Sequence, residues 1–287
     1  MRALVLSGGG GKGSYQVGAL KYIIGEKHVT YDVMCGVSVG AINVAFLAMF
    51  KAGEEAQAAL QLSDLWGQLD NSKIYRRWRP FGRLHAIWNK SFFDSSPLHH
   101  LLNKHISLEK IRESGKQVNV GAVSLSSGKY TIFDQTSAHF INAVIASASF
   151  PVMLTPVSFM GQLWSDGGIK EISPIKKAVD IGADVIDVII TNPVNRMKKF
   201  LDNPTTVDIL KRSIDLSTDK IMANDIEKVE LYNKVAKMGL TDKKYVQLNI
   251  IRPENNLIED LLDFRPEKIA EMMQKGYKDA VDKYTME

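Results

Sequence analysis

Val33-Met34-Cys35-Gly36-Val37-Ser38-Val39-Gly40-Ala41-Ile42-Asn43-Val44-Ala45-Phe46-Leu47-Ala48 begins as a short buried strand, Val33 to Cys35, and continues after the glycines as an apolar run that only a buried helix accommodates. At the join stands Gly-x-Ser-x-Gly. A serine on a strained strand-to-helix turn needs neighbours two positions away that lack side chains, so that the turn tightens and the hydroxyl faces outward. Gly36, Ser38 and Gly40 therefore form a candidate nucleophile elbow, against the plainer reading of a small-residue turn packed under a helix.

The same arrangement stands at the N-terminus. Ala3 to Leu6 reads as a buried strand that runs into Ser7-Gly8-Gly9-Gly10-Gly11-Lys12-Gly13, after which Tyr15, Val17, Leu20 and Ile23 suggest a helix. Further along, Val118–Val123 and Lys129–Phe133 read as an antiparallel hairpin, and Ala138–Ala146 as a helix. Asp184–Ile190 and Tyr245–Ile251 are β-branched strands, and Pro266–Tyr284 is an amphipathic helix. The pattern predicts an α/β fold, a mixed central sheet with helices on both faces.

Composition bounds the rest. The 287 residues are 45% hydrophobic and 24% charged, an ordinary globular balance, and no Pro/Gly/Ser-rich linker marks a boundary. One domain over residues 1–287 is expected. Lys plus Arg 36 against Asp plus Glu 32 leaves a net charge of +4, too little to argue for nucleic acid. The single cysteine, Cys35, excludes an intramolecular disulfide framework and leaves no second thiol for a zinc site. A reducing, cytoplasmic setting follows, and the apolar run Ala3–Leu6 is too short for a signal-peptide core. Two uncharged stretches, Val33–Phe50 and Gln135–Ser165, are interrupted by glycines, Asn43, His139, Pro151 and Pro156, so neither reads as a membrane span.

A nucleophilic serine needs a base. The six histidines are His28, His85, His99, His100, His105 and His139, and none lies in the second half of the chain. The α/β-hydrolase order of serine, acid, then a late histidine is therefore unfilled. Asp166, in Trp164-Ser165-Asp166-Gly167-Gly168, offers another base: it ends the uncharged stretch, and Gly167 and Gly168 leave its carboxylate open. Desolvation there would raise its basicity, whereas the plain reading is a turn aspartate capping its own backbone. The glycine run fails as a P-loop, because Gly13 follows Lys12. As a dinucleotide fingerprint Gly8, Gly10 and Gly13 fit, with Asp32 downstream, although Asp32 precedes the second strand instead of ending it. As an oxyanion hole, residues 8–13 supply backbone N–H groups at a helix N-terminus, with Lys12 adding a cation.

Taken together and in this order, Ser7–Gly13, Gly36–Gly40 and Asp166-Gly167-Gly168 resemble the patatin-like phospholipase family. Ala146-Ser147-Ala148-Ser149-Phe150-Pro151, Pro156 and Pro174-Ile175 match further, and the resemblance covers about Met1 to Asp187. Two departures are Lys12, where arginine is usual, and Ile172, where asparagine is often seen. The resemblance implies a three-layer α/β/α fold and a lipid acyl hydrolase acting on carboxylic esters. It places the nucleophile on Ser38, the base on Asp166 and the oxyanion hole on Gly8, Gly9, Gly10, Gly11, Lys12 and Gly13, with a lipid ester as substrate and no metal or organic cofactor. Two other classes stay open, a dinucleotide-binding oxidoreductase and a non-catalytic lipid-binding protein.

One segment stands apart. From Asn71 to Phe93 the cations Lys73, Arg76, Arg77, Arg79, Arg83 and Lys90 occur without an acid and are interleaved with Tyr75, Trp78, Phe81, Trp88, Phe92 and Phe93. Such a pattern suits peripheral contact with an anionic membrane, and equally a loop whose aromatics pack on the core or line an acyl pocket.

Overall fold

The computed structural model describes residues 1–78, 89–195, 203–240, 244–258 and 260–285. In chain order the first half runs β1 (Arg2–Leu6), α1 (Gly13–Ile23), β2 (Val33–Val37), α2 (Val39–Leu47), α3 (Glu55–Gly67), α4 (Asn71–Ile74), β3 (Arg76–Arg77), β4 (Phe93–Asp94), α5 (Ser96–His105) and α6 (Leu108–Ser114). The second half runs β5 (Gln117–Ser124), β6 (Tyr130–Asp134), α7 (Phe140–Ser147), β7 (Val157–Phe159), β8 (Gln162–Asp166), α8 (Ile175–Ile181), β9 (Val185–Ile189), α9 (Thr206–Lys237), β10 (Gln247–Ile251) and α10 (Pro266–Thr285).

Strand alternation explains the layering. Leu4 and Leu6 of β1 enter one apolar core while Ala3 and Val5 enter another, so the strand is covered on both faces. The first core takes in α1, α2, α3 and α10; the second takes in α8 and part of α9. Strand order is β10-β9-β1-β2-β5-β8-β7, with β6 also on β5. The strands from β10 to β5 are parallel, and β6, β7 and β8 are added antiparallel.

Register at β5 positions the site. Gly121 pairs with Val37 of β2 and with Ile132 of β6, so those strands take opposite edges of β5. Ala122 and Val123 pair with β6 and with β8, so β8 continues the edge that β2 leaves. β2 ends at Val37 opposite Gly121, and β8, running the other way, ends at Asp166 opposite Ala122. The residue after β2 and the last residue of β8 thus arrive side by side.

The two strand-turn-helix units, the hairpin and the strands β9 and β10 stand where the sequence patterns expect them, most with one to three residues added or trimmed at an end. The pattern reading did not find α3, the β7–β8 pair or the 32-residue α9, which opens with a Thr205–Asp208 capping box. No helix among the described residues is long and apolar enough to cross a membrane.

Candidate active site

Ser38 sits between β2 and α2 with φ 57° and ψ −130°, a backbone region that side-chain-bearing residues seldom occupy. Close packing over-determines it. A Cβ on Gly36 would lie 2.4 Å from the Gly40 carbonyl oxygen, and one on Gly40 would lie 2.3 Å from that of Leu6. Both glycines are therefore required by the approach of backbone to backbone. The Ser38 N–H donates to Ser147 Oγ at 2.8 Å, which satisfies a donor buried in the tight turn.

The Ser38 side chain stands beside the Asp166 carboxyl, and both line one cavity. Asp166 is only 3% exposed, its N–H donates to the Ser149 carbonyl at 3.1 Å, and its Oδ1 accepts the Gly168 N–H at 2.8 Å. Burial pushes this carboxyl up to about 7, although the nearby Ser38 and the Gly168 N–H pull the other way. Ser147, the last residue of α7, and Ser149, just beyond it, thus brace the serine turn and the aspartate at once. The sequence signal for them is the Ala146–Pro151 match; their task is visible only in the hydrogen bonds.

The glycine loop is clamped from three sides. Gly8 N–H donates to the Ile172 carbonyl (3.1 Å), Thr191 Oγ1 donates to the Gly8 carbonyl (2.6 Å), and Gly11 N–H donates to the Leu261 carbonyl (2.7 Å). The N–H groups of Gly9 and Gly10 make no backbone hydrogen bond among the described residues. Beneath the loop runs a satisfied relay: Trp66 Nε1 donates to Asn43 Oδ1, Asn43 Nδ2 to Gln16 Oε1, and Gln16 Nε2 to the Ser7 carbonyl.

These parts surround one cavity of about 360 Å³, lined by Ser38, Asp166, Gly8, Gly9, Gly10, Lys12 and Gly168 together with apolar and α9 side chains. Gly11 and Gly13 do not line it; a Cβ on the first would meet the Asp263 carbonyl and on the second Val39 and Trp66. Gly167 lies against the Gly121 carbonyl. From beyond Asp187, where the sequence resemblance stops, come Asn192, Leu261 and the α9 residues Ser213, Ile214 and Ser217. Of the histidines, none of the five described lines this cavity, and His85 lies outside the described residues. Asp32, whose N–H donates to the Arg2 carbonyl, stands at the start of β2 and so at the opposite end of the strand from the cavity. The dinucleotide reading lacks its ribose partner for that reason. Cys35 is buried in β2 with its thiol pushed up to about 12, an unreactive environment.

In the basic and aromatic segment, Tyr75, Phe92 and Phe93 pack against the first core, Arg76 Nε donates to Asp94 Oδ2 at 2.7 Å, and Trp78 Nε1 donates to the Ser91 carbonyl. Arg79, Phe81, Arg83 and Trp88 lie outside the described residues.

A strained serine turn beside a buried carboxyl, at the carboxyl ends of a mostly parallel sheet, defines the class: an α/β protein whose candidate site stands on a strand-to-helix turn. The chain belongs to the patatin-like phospholipase family, whose sequence profile matches residues 4–179. It is 23% identical to the mouse calcium-independent phospholipase A2-gamma over 97% of this chain and 38% of that protein. It is 24% identical to the probable lipid hydrolase 463L of Invertebrate iridescent virus 6 over 87% of this chain and 92% of that one. The chain therefore spans less than half the length of the mammalian relatives it matches. Among solved structures it is similar to VipD from Legionella pneumophila, with a TM-score of 0.48 and 15% identity over 99% of this chain and 67% of that one.

Proposed function

We propose that the protein is a lipid acyl hydrolase that cleaves carboxylic esters through an acyl-enzyme on Ser38. The single observation that carries this reading is a serine in a strained elbow beside a carboxyl whose burial makes it a base near neutral pH, both lining one cavity. Asp166 takes the Ser38 proton as the hydroxyl oxygen attacks the ester carbonyl. Negative charge then develops on the carbonyl oxygen, and the Gly9 and Gly10 N–H groups, with Lys12 alongside, are the donors available to it. Protonated Asp166 returns the proton to the leaving alkoxide, and water, deprotonated by the same carboxylate, hydrolyses the acyl-serine. Every proton has a donor and an acceptor within the chain and its substrates, so these steps call on no metal or organic cofactor. Family membership and the apolar lining from Phe150, Ile169, Ile172, Ile221 and Leu261 support a fatty acyl chain as the group transferred.

The test is a fluorophosphonate probe on the pure protein, with the adduct mapped by mass spectrometry and a panel of phospholipid, lysophospholipid and triglyceride substrates. The expected adduct is on Ser38, with turnover of at least one lipid ester. A protein that binds lipid but takes no label and hydrolyses none of the panel is a lipid-binding protein instead.

A further inference from the structure

On the face of the sheet away from the first core, polar atoms that the reaction does not use are buried together. Cys35 of β2 belongs to the second core and pairs with Asn119 of β5, so Asn119 points to the same side, as does Gly121 two positions on. Asn119 is 2% exposed, yet neither its Nδ2 nor its Oδ1 makes a hydrogen bond among the described residues. Tyr130 of β6, paired with Val123, leans over Gly121: a Cβ there would lie 2.0 Å from its hydroxyl, which fills the space the glycine leaves. That hydroxyl is buried and stands beside the Glu171 carboxyl without completing a hydrogen bond. Same-face positions two residues apart on a strand are about 7 Å from each other, which puts the Asn119 amide and the Tyr130 hydroxyl within the reach of one bridging water.

The chemistry of the site selects that occupant. Asn119 Nδ2 and the Tyr130 hydroxyl offer donors, which a cation cannot use, and an anion would meet Glu171 and Asp225. Among the described residues no group of three His, Cys, Asp or Glu is placed to hold a metal. Water donates and accepts at once. The titratable and charged groups around the site are the Cys35 thiol, Glu171, Asp225 and Lys177, with the exposed Lys176 and Lys228. Above it runs the turn that carries Asp166. A Cβ on Gly167 would lie 2.4 Å from the Gly121 carbonyl oxygen and 3.2 Å from Cε2 of Tyr130, so the turn rests on the same two residues. The Lys170 and Glu171 N–H groups close the turn on the Gly167 carbonyl, and the Gly168 N–H holds Asp166 Oδ1. From this juxtaposition we infer that Asn119 and Tyr130 bind ordered water between them and act as positioning residues for Asp166, by fixing the ring on which Gly167 rests. The water site stands on these contacts alone; its kinetic consequence rests on the proposed hydrolase reading.

Two variants and two crystal structures test it. Tyr130→Phe removes the hydroxyl and keeps the ring, and Asn119→Leu replaces the amide by an apolar group of similar size that expels the water. High-resolution crystals of wild type are expected to show at least one ordered water about 3 Å from both Asn119 and the Tyr130 hydroxyl, and those of Tyr130→Phe to lack it. With a soluble short-chain ester, each variant should lose at least about threefold in kcat while KM stays within about twofold of wild type. A further readout separates positioning from plain stability. A relaxed turn loosens the Gly168 N–H from Asp166, a contact that holds this carboxyl down, so the rise of kcat should move to higher pH. Wild-type crystals in which Asn119 and Tyr130 bond other side chains with no water between them overturn the proposal. Water in place, with kcat and its pH rise unchanged in both variants, overturns the positioning role. Should Asn119→Leu fail to fold, Tyr130→Phe decides, since it removes a single oxygen. A wild type that hydrolyses no ester removes the hydrolase reading instead. The two crystal structures then judge the site: a turn displaced in Tyr130→Phe sustains it, and an unmoved turn overturns it.

Discussion

In the proposed reaction the backbone conformation of Ser38 and the burial of Asp166 prepare a nucleophile and its base. Ser38→Ala removes a hydroxyl from a turn held by its glycines and by Ser147, so ester hydrolysis is expected to fall at least about 10³-fold with the circular dichroism spectrum unchanged. Asp166→Asn cannot accept the serine proton and is expected to cost about 10²–10⁴ in kcat. For wild type the base form dominates above about 7, so turnover should rise with pH through that value and then level. Stability runs in the opposite sense. A carboxyl at about 7 when folded and 3.8 when unfolded holds more protons in the folded state between those values, so stability falls as pH rises from about 4 to 7. Three units correspond to about 4 kcal/mol. Asp166→Asn escapes that cost, and its melting temperature should exceed wild type's at pH 8, with the gap closing near pH 4.

The elements owe their placement to contacts of a few ångströms. α1 and α10 cross where a Cβ on Gly18 would lie 1.9 Å from the Met273 carbonyl oxygen, and one on Gly276 equally near that of Tyr15. Neither obstacle is a side chain that can swing away. Gly18→Ala should therefore force the helices apart and lower stability by about 1–3 kcal/mol, read from the urea midpoint, with the loss extending to the glycine loop at the head of α1. Ser147→Ala acts between elements: it leaves the buried Ser38 N–H without an acceptor, a cost of about 1–3 kcal/mol. Because the elbow loosens while the cavity walls stay, kcat for a soluble ester should drop with KM little changed; an unaltered kcat would show that Gly36 and Gly40 suffice to hold the turn.

Across the whole molecule, the segment after Asp166 links the two sides of the site. Asp225 of α9, 6% exposed, accepts the N–H groups of Ile172 and Ser173 at 3.2 Å each, and the Ile172 carbonyl accepts the Gly8 N–H. One carboxylate thus ties α9, the turn after Asp166 and the glycine loop. Asp225→Ala strands two buried donors, and a loss of about 2–5 kcal/mol in stability together with reduced kcat is expected. Asp225→Asn keeps an acceptor oxygen and should recover much of both. If Asp225→Ala melts and turns over like wild type, α9 is seated by its apolar contacts alone.

Short-range patterns were enough for the strand-turn-helix units at Ser7–Gly13 and Gly36–Gly40 and for singling out the acid of Asp166-Gly167-Gly168, because each depends on residues a few positions apart: glycine where backbone must approach backbone, apolar runs where both faces are covered. The meeting of Ser38 with Asp166 was not legible in those patterns. It depends on β2 and β8 ending against consecutive residues of β5, and register between distant strands is chosen by the packing of both cores together. The same limit applies to Ser147 and Ser149, which read locally as small residues near a helix end, and to α9, whose weak apolar periodicity has meaning only over a cavity built by other segments. It applies also to Asn71–Phe93, where alternating cations and aromatics suit a membrane face and a core-packed loop alike. Tertiary structure turned Tyr75, Phe92 and Phe93 inward and left Ile209 and Leu216 facing water, because burial is decided by which surfaces meet and a sequence states only which residues could be buried.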